Sequence, residues 1–421
     1  MIEIKPGIVK EATVSVPGSK SYTHRMLIAA ALSGGWCSIN NPLISEDTLI
    51  TRKCLGLLGV TISEEGNCLK VQGSAGRLIG PDIPIDLGNS GTSMRLLAAV
   101  VALARGPVTL TGTRRMRERP IQNLLDGLNQ LGVTARSLNG DGCPPIEVVG
   151  GHLKGGKVAL DCRISSQFLS ALLLIAPFAA QKVEIRVTEG LVSKPYVDMT
   201  LEVMERFGVA AERKGYERFA VDSGQTYRSG TYTVESDCSQ AGYFWAAAAI
   251  TGTDIKVTGT TLASRQGDVR LTSCLKDMGC RVVEENDGIR VVGGQLKGIT
   301  VDMADMPDMV PTLAVVAAFA RGKTVIKNVA HLRAKESDRL NAVATELSKM
   351  GVGVDCRADQ LQVTGGKPKG AVIDTYADHR IAMSFALAGL KVPGIKIKDE
   401  KCVGKSFPNF WTVFNRLYAV K

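Results

Sequence analysis

Six short polar loops hold most of the side chains in this sequence whose types and spacing suit chemistry. They read PGSKSYTHR (17–25), GNSGTSMR (88–95), ISSQ (164–167), SDCSQ (236–240), ADMPDM (304–309) and YADHR (376–380), and each leads into an apolar helical run. A helix start presents unpaired N–H groups and a partial positive charge, so it attracts anions. In any one loop, Ser, Asn and Asp are ordinary helix caps. Lys, Arg, His and Asp beside them point further, to an anion-attracting cleft if the loops converge. In the first loop Ser21 reads as the cap, with Lys20 just outside and Arg25 one turn on. Residues four apart share a helical face, so Ser21 and Arg25 can grip one anion while Lys20 reaches another. In RERP, Arg119 stands before Pro120, which suits a helix's first turn. AHLRAKESDRL sets Lys335 and Arg339 four apart with Glu336 between them. A carboxylate among cations is held ionised unless burial and a bound anion raise its pKa, the profile of a group that exchanges protons during turnover. Taken alone, the same cluster reads as a surface ion-pair lattice. GSKS at Gly18 and GKS at Gly404 lack the glycine five residues before the Gly-Lys pair that a phosphate loop requires, which argues against a nucleoside-triphosphate site.

The elements that must position these loops repeat. A unit of about 70 residues recurs six times: a short strand, a polar loop, a small-residue apolar helix, a strand, then a more charged helix. The apolar helices are expected from Met26, Met94, Phe168, Tyr243, Thr312 and Ile381. Five of the charged helices stop at Leu58-Gly59-Val60, Leu131-Gly132-Val133, Phe207-Gly208-Val209, Met278-Gly279-Cys280 and Met350-Gly351-Val352, where glycine takes a left-handed cap without a Cβ clash. Six copies divide into two groups of three, with a break near Glu235. The expected domains are 17–235, and 1–16 together with 236–421, because the N-terminal strand has no helix of its own and the sixth copy lacks its last strands. A chain that crosses twice between halves makes a hinge that ligand can close.

Composition bounds the rest. With 421 residues, 45% of them hydrophobic, the chain can build two or three cores. No uncharged apolar run reaches membrane-spanning length and no leader segment is read, so no membrane association is expected. Ten scattered cysteines without a CxxC pair, and four histidines without ligand spacing, suggest free thiols, a reducing cytoplasm and no metal site. A net charge of +10 suits nucleic acid or small polyanions. The basic cluster Arg114, Arg115, Arg117 and Arg119 lacks interleaved aromatics, which favours a small acidic substrate over nucleic acid.

Taken in order, PGSKSYTHR, LGNSGTSMR, RMRERPI, ISSQFLSALL, SKPYVDMTL, PDM-VPTLAVVA, KESDRL, DHRIAMSFAL and KSFP resemble the motif series of the 5-enolpyruvylshikimate-3-phosphate synthase family over nearly the whole chain. Each motif alone is common; the series is specific. The resemblance implies an α/β (α+β) fold of two similar domains, each three βαβαββ units around buried helices, an inside-out barrel-like arrangement with a hinged cleft. It implies transfer of the enolpyruvyl group of phosphoenolpyruvate to the 5-hydroxyl of shikimate 3-phosphate, with release of phosphate and no cofactor or metal. Both substrates carry a carboxylate and a phosphate, so a cage of cations is needed, and guanidinium matches both groups bidentately. By the resemblance, Lys20, Asn89, Gly91, Arg119, Gln167, Arg339, Arg380 and Lys405 would hold phosphoenolpyruvate. Lys20, Ser21, Arg25, Ser165, Ser166, Gln167, Ser193, Tyr196, Asp308, His331 and Lys335 would hold shikimate 3-phosphate. Asp308 would be the base for the 5-hydroxyl and Glu336 would handle the methylene proton, with help from Lys20; the two carboxylates can also be assigned the other way round.

The expected partners are therefore these two substrates and the inhibitor glyphosate in the phosphoenolpyruvate position, for a monomer. Two positions depart from the family's pattern. His331 stands where an asparagine is common, and Leu96 follows Arg95 where many members have proline. Two related enzymes are the alternatives. The UDP-N-acetylglucosamine enolpyruvyl transferase carries a cysteine in the loop that here reads GTRRMRERP, and Cys143 lies well downstream. An RNA 3′-phosphate cyclase needs a nucleotide site and a nucleophilic histidine, for which only His379 is in position.

Overall fold

Helices that are apolar on every face, such as MLIAAAL (26–32) and FLSALLLI (168–175), have no side to turn to water and must be surrounded. In the computed structural model, which describes residues 1–419, such helices form the interior and the sheets lie outside them. The chain forms two compact units: Gly18–Glu235, and Met1–Pro17 together with the chain from Ser236 onward. The twelve α-helices of the described residues are α1 Lys20–Leu32, α2 Glu46–Leu57, α3 Gly91–Val100, α4 Gln122–Gln130, α5 Gln167–Ile175, α6 Pro195–Arg206, α7 Cys238–Thr251, α8 Leu271–Asp277, α9 Val310–Ala317, α10 Arg339–Lys349, α11 His379–Gly389 and α12 Phe410–Asn415. In the first unit α3 contacts both α1 and α5; in the other, α7, α9 and α11 contact one another. Their side chains make two separate apolar cores.

The charged helices α2, α4, α6, α8 and α10 each end two residues before a glycine in the left-handed region or its border: Gly59, Gly132, Gly208, Gly279 and Gly351, with φ from 73° to 113°. The repeat is thus visible in the backbone.

Apart from the short antiparallel pair of Ile8–Val9 with Tyr418–Ala419, the sheets of the described residues follow one pattern: a parallel pair, then antiparallel neighbours. In the first unit the orders are Gly230–Thr233, Trp36–Asn40, Cys68–Gln72, Thr61–Glu65, then the short strands Leu78–Ile79 and Ile85–Asp86 on Ala104–Thr111, followed by Ile146–Gly150 and Thr134–Ser137. The third sheet runs Gly156–Asp161, Val183–Glu189, Arg218–Val221, Glu212–Lys214. In the other unit Ala12–Ser15 opens the sheet continued by Asp254–Thr258, Gly288–Val292 and Arg281–Glu285. Thr300–Asp302, Lys323–Lys327, Leu361–Thr364 and Gly353–Cys356 make the next, and Val372–Ile373, Ile395–Ile397 and Ile2–Ile4 the last. The strand before α1 therefore serves the fourth copy's sheet, and the strand before α7 serves the first copy's.

Candidate active site

All six apolar helices begin one to six residues earlier than hydropathy alone predicts, in most of them because the first turn is polar. That moves the chemical loops into the helix starts. The cap of α1 is Ser19, not Ser21: its backbone is extended (φ −61°, ψ 124°) and its hydroxyl accepts from the Tyr22 N–H. Lys20 and Ser21 are the first two helical residues. Gly18 just before them is required by a close approach, since a Cβ there would meet the Asn41 carbonyl oxygen at 1.9 Å.

Within the first unit, the starts of α1, α3 and α5 are tied together. The Lys20 ammonium donates to Asp47 Oδ2 at 3.3 Å, and the Asp47 carbonyl accepts from Ser93 Oγ at 3.3 Å. Ser93 Oγ in turn lies 2.7 Å from Ser90 Oγ and 2.8 Å from Thr51 Oγ1, which meets His24 Nδ1 at 2.8 Å. Gln167 Nε2 donates to Thr92 Oγ1 at 3.0 Å, joining the starts of α5 and α3, and Ser165 Oγ accepts from the Gln167 N–H. Ser166 and Ser193 are buried, and Ser193 has φ 55°, a left-handed backbone unusual for serine.

Arg25 is 1% exposed, and among the described residues its hydrogen-bond acceptors are all neutral oxygens. Nε donates to Thr200 Oγ1 at 2.7 Å, Nη1 to the Ser21 carbonyl at 3.0 Å, and Nη2 to the Tyr196 carbonyl at 3.0 Å and to Ser170 Oγ at 3.5 Å. Its guanidinium carbon lies 5.9 Å from the Tyr196 ring centre. Burial brings its pKa down to about 10, as expected for a cation desolvated among neutral groups. A buried positive charge so arranged favours an anionic ligand.

Arg119 lies before, not in, its helix: α4 starts at Gln122, and Arg119 caps a preceding 3-10 turn with extended backbone. Its Nη1 donates to the Asn89 carbonyl at 3.3 Å and to Asn89 Oδ1 at 3.4 Å. A Cβ on Gly91 would stand 2.4 Å from Arg119 Nη2, so glycine is what lets the guanidinium lie against the first turn of α3. Asn89, Gly91 and Arg119 are thus one assembly. Leu96 is buried in the core on the same helix.

The other unit gathers charge of both signs. Asp308 accepts from Arg339 Nη1 at 2.9 Å through one oxygen and from Arg380 Nη2 at 2.8 Å through the other. Arg339 Nη2 also donates to Glu336 Oε2 at 2.9 Å, and Arg339 Nε to Asp378 Oδ2 at 2.9 Å. Burial opposes the Arg339 charge, yet Asp378, Glu336 and Asp308 together hold its pKa raised. Arg380 is likewise raised against burial, chiefly by Asp308, and its Nη1 meets the Tyr243 hydroxyl at 3.1 Å. Asp378 caps α11 and takes the Ser337 hydroxyl at 3.1 Å. Lys335 and Arg339 do not share a helical face, because Asp338 caps α10 and Lys335 precedes it in extended conformation. His331 is buried, and burial, with Lys335 adding to it, pushes its pKa down to about 3, so the ring is neutral near pH 7. Lys405 is buried beside Ser406, whose carbonyl accepts from Gln240 Nε2 at 2.6 Å.

Sequence reasoning passes over the partners that fix these groups: Asp47 for Lys20, Thr200 and Ser170 for Arg25, Asp378 for Arg339, and Tyr243 for Arg380. Each is far away in the chain, up to 175 residues from its partner, so no local spacing announces it.

One known family matches this arrangement across the chain. The profile of the family described as EPSP synthase (3-phosphoshikimate 1-carboxyvinyltransferase) matches residues 5–414. The 3-phosphoshikimate 1-carboxyvinyltransferase of Syntrophobacter fumaroxidans is 47% identical over 411 residues, covering 97% of each chain. That of Methanoculleus marisnigri is 44% identical over 403 residues, covering 95% of each. Among solved structures, an EPSP synthase from Acinetobacter baumannii superimposes with a TM-score of 0.84 at 29% identity, over 99% of this chain and 98% of that one.

Proposed function

We infer that this chain, which belongs to the EPSP synthase (3-phosphoshikimate 1-carboxyvinyltransferase) family, transfers the enolpyruvyl group of phosphoenolpyruvate to the 5-hydroxyl of shikimate 3-phosphate. The observation that carries the residue assignment is Asp308, a carboxylate held by two buried guanidiniums with Glu336 on the same Arg339. Lys20, Asn89, Gly91, Arg119, Gln167, Arg339, Arg380 and Lys405 bind phosphoenolpyruvate. Ser21, Arg25, Ser165, Ser166, Gln167, Ser193 and Tyr196, with Lys20, Asp308, His331 and Lys335, bind shikimate 3-phosphate. Arg25, a cation facing neutral oxygens, takes its anionic charge.

The reaction is an addition followed by an elimination. The methylene carbon gains a proton, the substrate 5-oxygen bonds to the adjacent cation-like carbon, and the hydroxyl proton passes to a base. Loss of a methyl proton then expels phosphate and restores the double bond. Asp308 receives the hydroxyl proton and Glu336 handles the methylene proton, assisted by Lys20. The cations that hold Asp308 are those assigned to phosphoenolpyruvate. An anionic substrate drawing Arg339 and Arg380 to itself leaves Asp308 the stronger base, so binding prepares the chemistry.

No helix of the described residues is long and apolar enough to cross a membrane. The enzyme acts as a monomer in the cytoplasm and is inhibited by glyphosate in the phosphoenolpyruvate position. The test is to mix purified protein with phosphoenolpyruvate and either shikimate 3-phosphate or UDP-N-acetylglucosamine, and to measure phosphate release. Release with the nucleotide sugar alone, or with neither acceptor, overturns the assignment.

A further inference from the structure

On the outer face of the sheet Gly156–Asp161, Val183–Glu189, Arg218–Val221, Glu212–Lys214, three cations stand side by side. The register sets Arg186 opposite Arg218, and Arg218 opposite Lys214, with Ala159 at the end of the same row. Like charges directly opposite one another across strands are destabilising. None of these three has an ion pair among the described residues. They line a hollow of about 670 Å³ that shares no residue with the candidate active site.

The chain neutralises cations in the same setting elsewhere. On the sheet containing Asp254–Thr258 and Gly288–Val292, Lys256 lies opposite Arg290 in the same way. There Lys256 pairs with Glu285 and Asp287, and Arg290 with Asp254, Glu11 and Glu285. On the sheet of Thr134–Ser137 and Ile146–Gly150, Arg136 faces Glu147 and pairs with it at 2.8 Å. Of the other cations lining the hollow, Lys182 pairs with Asp222 and Glu212 and Arg213 with Asp198, while Lys157 stands opposite Glu184 across the strands. Among the described residues lining the hollow, the Arg186, Arg218, Lys214 row has no carboxylate in register.

We propose that this row is a second anion site, and that it takes a compact oligophosphate. Two guanidinium forks and an ammonium in one line match phosphate oxygens bidentately. The next row on the same face, Lys157, Glu184, Ala220, Glu212, carries two carboxylates. These repel a polyanion long enough to run across both rows and leave a short one untouched. The only aromatic residue lining the hollow is Phe219, which is buried, so a nucleobase has no stacking platform. The site therefore recognises the phosphates themselves.

The test is residue-resolved, because the catalytic cations also attract phosphate. Purified full-length protein is treated with an arginine-directed dicarbonyl reagent at about 0.15 M ionic strength, where exposed charges are well screened. Labelling is mapped by peptide mass with and without tripolyphosphate. The expected result is that tripolyphosphate slows labelling of Arg186 and Arg218 about tenfold and leaves the ion-paired Arg136 unaffected. Arg218→Gln should abolish protection of Arg186 while turnover stays at the wild-type rate. Equal labelling with and without tripolyphosphate overturns the proposal, as does protection of Arg186 that survives Arg218→Gln. Stronger protection by a short RNA at equal phosphate concentration also overturns it, by marking a nucleic-acid surface instead.

Discussion

Replacing Gly91 by alanine separates binding from folding. The new methyl would stand 2.4 Å from Arg119 Nη2 and 2.8 Å from Cζ, against an ordinary contact of 3.4 Å or more, so the guanidinium must retreat by about 1 Å. What yields is the far end of a flexible side chain rather than backbone, and folding loses little. The contacts to Asn89, at 3.3 and 3.4 Å, are lost with that movement. If Arg119 clamps phosphoenolpyruvate, one charge-assisted contact goes, worth roughly 1.5–3 kcal/mol, or about 10- to 100-fold in KM for phosphoenolpyruvate. Glyphosate, the longer molecule, should lose more, so its inhibition constant rises further than KM does. The assay is phosphate release at saturating shikimate 3-phosphate with phosphoenolpyruvate varied, beside a thermal melt expected to move by about 2 °C or less. Because Gly91 acts through Arg119, the double variant Gly91→Ala/Arg119→Ala should bind phosphoenolpyruvate no worse than Arg119→Ala alone. Additive losses, or a KM changed less than about twofold, would refute the reasoning.

Three further outcomes are expected. Burial pushes the Arg25 pKa down to about 10, a cost to folding that is present below pH 10 and relieved as pH rises above it; Arg25→Met should therefore melt no lower than wild type yet lose the melting-temperature rise given by shikimate 3-phosphate, and a destabilised variant that keeps that rise contradicts this. His331, depressed to about 3, leaves the unfolded chain to bind a proton first, so stability present above about pH 6.5 falls as pH drops toward 3; denaturant melts should show a shallower loss in His331→Asn, and identical slopes remove His331 from this role. Asp308→Asn should lower kcat by about two to four orders of magnitude while leaving shikimate 3-phosphate binding detectable by calorimetry; near-normal turnover would exclude Asp308 as the base.

The repeat and the layering are legible in the sequence because they rest on local signals. All-apolar helices have to be interior, and the five glycines after the charged helices mark their ends to within a residue or two. Helix starts are read late, since Lys20, Gly91 and Arg380 look like loop residues while hydropathy is the guide, whereas their caps Ser19, Ser90 and Asp378 define the true first turns. Candidate cations are legible by type, but their settings are not. Nothing near Arg25 in sequence says that its companions are Thr200 and Ser170 rather than a carboxylate, or that Arg339 is shared among Asp308, Glu336 and Asp378. Those facts decide which arginine is short of negative charge and which is saturated with it.

The exchange of opening strands sets an order on synthesis. Ala12–Ser15 leaves the ribosome early, but its parallel partner Asp254–Thr258 follows roughly 240 residues later. At about 5–20 residues per second that is a wait of tens of seconds, during which the nascent strand has no sheet to join. The stretch from Gly18 to Glu235 needs no strand from outside itself, since Gly230–Thr233 closes the first copy's sheet on Trp36–Asn40 as the unit is completed. One half of the molecule is thus contiguous and can be finished first. The other is assembled from segments far apart in the chain, so any slowing of translation after Glu235 prolongs the wait of the unpaired strand Ala12–Ser15.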